Sequence, residues 1–308
     1  MADVIVGGLF QTPRRQMPRL PNTRRIYSDE GMFDLDGYLE RIGLSGRPGI
    51  VEVHRAHSTS IPFENLDPRR GVPVSLAPED LADKLISRRR GGYCFEQNLL
   101  LAAALRALGW NVELFLARVR YGAPPGVIRP RSHLLLRVHD GERAWHADVG
   151  FGQGTLLDPI PFGPGGEHEQ AGWRYRVVSD GPEHVLQQAQ ADGWADLYAY
   201  MPHPNPEIDV GTINWWVSTH PHSPFVTGLV VAIQDAEGKR SVLSDWGGEL
   251  TLTERTPTAT SATTVTMEMV PGLLEERFGL GGFELDGEGR PAPTTLKRAT
   301  SSRSTILG

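Results

Sequence analysis

The chain has one cysteine in 308 residues, no apolar run of the roughly 18 to 20 residues that cross a bilayer, and no excess of positive charge. Each shortage excludes something. A lone cysteine forms no internal disulfide, and it cannot build a thiolate zinc site, which takes about two to four. Without an apolar span, no membrane partner is expected. A net charge of −6 gives no general attraction to nucleic acid, so a small or neutral partner is favoured. The opening "MADVIVGGLF" lacks the leading charge and small-residue cleavage site of a secretory signal, and a reducing cytoplasmic compartment is expected.

What is present is an ordinary globular composition, 39% hydrophobic and 22% charged, over a length that favours two or three packed units. Residues 34 to 110 read as helices. Leu35, Tyr38, Leu39 and Ile42 recur with helical spacing behind Asp34 as a cap, and Gly43 follows as a stop. "GIVEVHRAHSTS" fits a second helix, broken by Pro62. A third begins near Pro78, with Glu79 and Asp80 at its positive end. The fourth is "CFEQNLLLAAALRALG", with Leu99, Leu100, Ala103 and Leu108 on its buried side. From Trp110 the pattern turns to short alternating runs, "NVELFLARVRY", "HLLLRVHD", "RAWHADV" and "WRYRVV", the sign of antiparallel strands in a barrel or sandwich. A long glycine-rich loop, "GFGQGTLLDPIPFGPGGEHEQAG", interrupts them. Beyond residue 212, "PFVTGLVVAI", "KRSVLS", "GELTLTE" and "ATTVTMEMV" read as strands before a short helix, "PGLLEERFG".

The lone cysteine, Cys94, follows Gly91 and Gly92 at the mouth of the fourth helix. Free N–H groups and the helix dipole favour an anion there, Arg90 adds positive charge, and a thiolate is the nucleophilic form of cysteine. A base must come from elsewhere. In "HLLLRVHDGERAWHADVG" the Asp140-Gly141 pair is a strong hairpin signal. With those two residues as the turn, His133 falls directly opposite Asp148 on one face, roughly 5 Å apart at Cβ. A carboxylate so placed holds an imidazole in one tautomer. Two alternatives stay open: a cross-strand polar pair on a solvated face, or a longer turn that shifts the register. If the pairing holds, Cys94, His133 and Asp148 form a papain-like nucleophilic triad, and spacing alone does not name the acyl group. The "HRAH" pair (His54, His57) and the "THPH" pair (His220, His222) lack nearby carboxylate clusters, and no metal is expected.

Five segments, "IPFENLD", "RRGGYCFEQN", "SHLLLRV", "DVGFG" and "NWWVSTHPHSPF", occur in an order that resembles the arylamine N-acetyltransferases, over about residues 34 to 290. The resemblance implies an α+β, multi-domain fold: a helical bundle over 27–110 carrying the nucleophile, a β-barrel over 111–211 carrying histidine and aspartate, and an α/β lid over 212–292. A flexible extension, 1–26, and a polar tail, 293–308, flank them. It further implies a cytoplasmic acyltransferase with acetyl-CoA as co-substrate and a small aromatic amine or hydrazine as acceptor, working by a ping-pong cycle through Cys94, His133 and Asp148. Phe63 and Phe151 would line the aromatic slot, and Trp216, His222, Ser223 and Phe225 would lie where relatives touch CoA. Two rivals share the triad logic: an amide synthase that closes a macrocycle from a carrier-bound acyl chain, and a cysteine protease or transglutaminase. The oligomeric state is not fixed by the sequence, and a homodimer is left open.

Overall fold

The computed structural model describes residues 33–124 and 126–294; the extension 1–26 and most of the tail, 295–308, lie outside the described residues. The chain begins with α1 (Leu35–Arg41), capped by the Asp34 carboxylate, which accepts from Gly37 N at 2.9 Å, and stopped by Gly43 in the left-handed region. There follow α2 (Ile50–Ser60), the short β1 (Phe63–Glu64), α3 (Leu66–Arg69), α4 (Pro78–Leu81) running on through a π-helical turn, Ala82–Ser87, and α5 (Cys94–Ala107). Helix α5 has no solvated side. From Cys94 to Leu105 every residue is buried, because α1, α2 and the π turn cover one flank and the strands cover the other. Each of its buried leucines contributes roughly 1.5–3 kcal/mol of transfer free energy.

Eight antiparallel strands come next: β2 (Asn111–Val119), β3 (His133–Asp140), β4 (Arg143–Ala147), β5 (Ile160–Pro161), β6 (His168–Gln170), β7 (Trp173–Asp180), β8 (Glu183–Gln190) and β9 (Gly193–Tyr200). The long glycine-rich loop thus contains two short strands. The sheet order β5-β4-β3-β2-β9-β8-β7-β6 curls into a nearly closed barrel. The Gln170 carboxamide bridges the open edges, accepting from Leu157 N and Asp158 N and donating to Asp158 O. Strands β2 and β3 are buried on both faces. Leu114, Leu116, Leu134, Leu136 and Val138 join the helical core, while Phe115, Ala117 and Leu135 point into the barrel.

A helix then crosses residues 211 and 212, α6 (Glu207–Thr219), followed by α7 (Pro224–Thr227). "PFVT" is therefore helical rather than part of a strand, because Ser223 caps it by accepting from Phe225 N and Pro224 fits its first turn. Strands β10 (Val230–Gln234), β11 (Arg240–Ser244), β12 (Thr251–Arg255) and β13 (Thr260–Thr264) extend β1 into a five-stranded antiparallel sheet. Helix α8 (Val270–Phe278) packs Val270, Leu274 and Phe278 against Leu229, Val231 and Leu243 of that sheet. A two-stranded ribbon, β14 (Phe283–Leu285) and β15 (Pro291–Pro293), closes the described chain. Among the described residues, no helix is long and apolar enough to cross a membrane.

Candidate active site

Cys94 is the first residue of α5, with Tyr93 as the preceding cap. Glu96 accepts from Tyr93 N at 3.0 Å and so satisfies one orphan amide of the helix start. The two glycines before it serve close approach: a Cβ on Gly91 would lie 2.1 Å from Pro62 O. Gln97 holds that approach in place, donating from Nε2 to Pro62 O at 2.8 Å and Gly92 O at 3.2 Å, while His57 Nε2 lies 2.7 Å from Gln97 Oε1. Arg90 does not serve as a free cation beside the thiol. It is buried against Glu64 at 2.6 Å and Asp67 at 3.3 Å, in a network that also contains Lys84 and Glu96.

His133 and Asp148 meet, but through a different register from the one the sequence suggested. The two turn residues are Gly141 and Glu142, since Asp140 pairs with Arg143 and the ladder runs to Leu136 opposite Ala147. Gly141 takes φ 61° at the first turn position, where a glycine costs least. Shifting a ladder by two residues keeps every side chain on its face. His133 and Asp148 become diagonal neighbours instead of a directly opposed pair, and their side chains close the gap, with His133 Nε2 2.7 Å from Asp148 Oδ2. That face is buried, not solvated: His133 is 2% exposed and Asp148 1%.

The ladder ends at Ala147 because side chains of α2 and α5 take the following amides. Asp148 N donates to His54 Nε2 at 3.1 Å, and Val149 N to Asn98 Oδ1 at 3.1 Å. The Asp148 carboxylate then collects four donors. Oδ2 accepts from His133 Nε2 at 2.7 Å and Tyr198 OH at 2.7 Å; Oδ1 accepts from Asn98 Nδ2 at 2.9 Å and Gly150 N at 2.9 Å. Burial opposes ionisation there, but His133, Asn98 and the Gly150 amide outweigh it and hold the carboxyl well below its usual range. Gly150 also lets the strand end lie on the helix start: a Cβ there would sit 2.7 Å from Cys94 Cα.

The Cys94 thiol is 3% exposed and sits 3.7 Å from Ser132 O. Burial pushes it up, above the ordinary thiol range, while the Leu134 and Phe95 amides pull the other way. A free thiolate is disfavoured in that setting. Cys94 and His133 line one cavity of about 950 Å³, and His133 is the imidazole in its wall.

Phe63, Phe151, Trp216 and Phe225 line the same cavity. The Phe151 ring lies 5.1 Å from both His133 and Tyr198, and Phe63 lies 6.1 Å from Phe225. Ser223 and His222 are not in that wall. Ser223 is fully buried as the cap of α7, donating from Oγ to Val217 O, and His222 is exposed. The wall also holds Tyr121, Arg129 and Trp246, which sequence reasoning missed because nothing local marks a residue brought in by a remote loop. Asn98 did have a signal, standing one turn after Cys94 on the same helix face. Among the described residues no cluster of three or more His, Cys, Asp or Glu side chains could hold a metal ion.

Comparison with known proteins identifies the family. A family model described as N-acetyltransferase matches residues 49–284. The arylamine N-acetyltransferase of Mycolicibacterium smegmatis is 43% identical over 210 residues, covering 65% of this chain and 76% of that protein. That of Mycobacterium tuberculosis is 37% identical over 272 residues, covering 83% of this chain and 93% of the relative. The solved structure of Mycobacterium marinum arylamine N-acetyltransferase in complex with CoA superposes with a TM-score of 0.76 at 37% identity, covering 80% of this chain and 93% of that one. This chain belongs to the arylamine N-acetyltransferase family.

Proposed function

We propose that this chain transfers an acetyl group from acetyl-CoA to a small aromatic amine or hydrazine in two steps, through a thioester on Cys94. One observation carries the reading: Cys94, at the start of α5, shares a cavity wall with His133, whose Nε2 is tied to Asp148. That tie leaves His133 Nδ1 to take the thiol proton. The Cys94 sulfur then attacks the thioester carbon, and the CoA sulfur departs with the proton from His133. In the second half the amine attacks the acetyl-cysteine and gives its proton to His133, which returns it to the leaving Cys94 sulfur. A thioester suits a thiol nucleophile because attacking and leaving groups are alike. The Cys94 amide, free at the helix start, is the donor assigned to the tetrahedral oxyanion.

Phe63 and Phe151 form the slot for the aromatic ring, supported by their place in the cavity wall. Trp216 and Phe225 are assigned to CoA on the same support. Ser223 supports that side by holding α7, and His222 is assigned to CoA from the exposed rim. In this reading the helical unit ending at α5 supplies the nucleophile, the barrel of β2 to β9 supplies base and carboxylate, and the unit from α6 onward is the lid.

A single-turnover incubation with acetyl-CoA, read by mass spectrometry of the peptide bearing Cys94, tests the proposal. One acetyl group should appear on Cys94, leave on addition of an arylamine, and be absent from Cys94→Ser. No labelling at millimolar donor, or turnover retained by the serine variant, would overturn it.

A further inference from the structure

Behind Asp148, inside the barrel, lies a line of buried polar groups that the transfer steps do not use. Tyr198 OH donates to Asp148 Oδ2 at 2.7 Å; His146 Nε2 lies 2.8 Å from Tyr198 OH; His146 Nδ1 lies 3.3 Å from Tyr200 OH. His146, Tyr198 and Tyr200 are all fully buried.

The direction of every proton in this line follows from one end. An ionised carboxylate only accepts, so Tyr198 must spend its single proton on Asp148. Its oxygen is then free to accept, and the nearby nitrogen, His146 Nε2, must carry a hydrogen. That leaves Nδ1 as the acceptor, and Tyr200 OH donates to it. The imidazole stays neutral in this setting: burial pushes it down to about 3, and although Asp148 draws it up, His133, His54 and His184 draw it down. Arg137, opposite His146 on β3 and so on the same face, stacks over Phe115 and Phe162 and is engaged by Glu113. Tyr198 also packs its ring 4.7 Å from that of His133, so a displaced tyrosine disturbs the base from two sides.

We propose that His146 is a positioning residue for the transfer reaction, which acts through Tyr198 by fixing that hydroxyl as a donor to Asp148 and so holding His133 toward Cys94. Removing the imidazole leaves a buried hydroxyl oxygen without its donor and weakens the hydrogen bond it makes in turn.

The inference rests on the proposed triad, and a double-mutant cycle on the rate of Cys94 alkylation by iodoacetamide, followed from pH 5 to 9, tests it. His146→Phe should slow alkylation about five- to tenfold at neutral pH, the fold-change expected for one net hydrogen bond, and displace its pH profile. In a Tyr198→Phe background the same change should cost less than about twofold, since its route to Asp148 is gone. His146→Gln, which keeps an amide donor, should recover part of the loss, and Tyr200→Phe should give a smaller effect of the same sign should His146→Phe not fold. Equal losses in both backgrounds, or a wild-type rate and profile in His146→Phe and Tyr200→Phe, overturn the inference. Slow alkylation of the wild-type protein, insensitive to His133→Ala, would instead overturn the triad.

Discussion

Replacing Asp148 by asparagine should trap His133 in the wrong tautomer, and the structure says why. The carboxylate accepts from two pairs of donors, one on each oxygen. An asparagine has one carbonyl oxygen and one NH2, so one pair must face a donor. The Oδ1 pair cannot adjust: Gly150 N is backbone, and Asn98 is fixed because Nδ2 also donates to Leu134 O at 2.7 Å while its oxygen accepts from Val149 N. Turning the amide toward them would strand two buried donors, at about 1–3 kcal/mol each. The Oδ2 pair can adjust, since Tyr198 can rotate its hydroxyl and His133 can move its proton from Nε2 to Nδ1. In Asp148→Asn the new amide therefore settles with its NH2 toward His133, whose Nδ1 now carries a hydrogen where the Cys94 proton has to go. The acetylation rate should fall on the order of 10⁴-fold, the size of loss seen when a triad holds the wrong tautomer. Stability should fall by only about 1–3 kcal/mol. Single-turnover acetylation measures the rate, and nitrogen-15 NMR of His133 reads which ring nitrogen is protonated. A rate within about tenfold of wild type, or a His133 still protonated at Nε2, refutes the reasoning.

Gly150→Ala should be worse than its size suggests, because the new methyl would lie 2.7 Å from Cys94 Cα and 2.8 Å from Asn98 Nδ2. The strand end must retreat from α5, and a melting temperature lower by several degrees with acetylation reduced at least about a hundredfold is expected; a wild-type rate would show that the contact is dispensable. Glu96 gives a pH signature. Burial raises its carboxyl to about 7, with Glu64 adding to the rise and Lys84 opposing it, against 4.5 for an unperturbed glutamate. The folded chain therefore holds an extra proton between these values, and this contribution to stability is full below 4.5 and is lost as pH rises through 7. Glu96→Gln should remove that slope, worth on the order of 3 kcal/mol at full burial, in urea denaturation at about pH 5 and pH 8. The same slope in wild type and variant would place the titration elsewhere.

Much of the site was legible where the signal is local. The Asp34 cap, the Gly43 stop and the start of α5 at Cys94 are written in a few adjacent residues, as are β3 and the hairpin that follows it. Where one local signal outweighs another, the sequence pattern misleads. Val226 and Thr227 suggested a strand, although Ser223 and Pro224 start a helix there. The hairpin parity survived a two-residue shift in register, because side chains alternate with a period of two. Arg90, beside Cys94 in sequence, turned out to be engaged by Glu64 and Asp67, a pairing that needs chain 23 to 26 residues away to fold back.

The sequence by itself determined which residue sits at the helix mouth and which histidine and carboxylate share a strand face, since helix starts and strand alternation depend on neighbours a few residues apart. Only the tertiary structure decided how that chemistry is tuned. Packing α5 against the barrel leaves Cys94 only 3% exposed, in the wall of the cavity, and this burial pushes its thiol up although the Leu134 and Phe95 amides pull the other way. It also brings Asn98 of α5 and Tyr198 of β9 to the Asp148 carboxylate, and His54 of α2 to the Asp148 amide. Partners so far from Asp148 in sequence leave no common pattern, because burial and hydrogen bonding are properties of the folded neighbourhood.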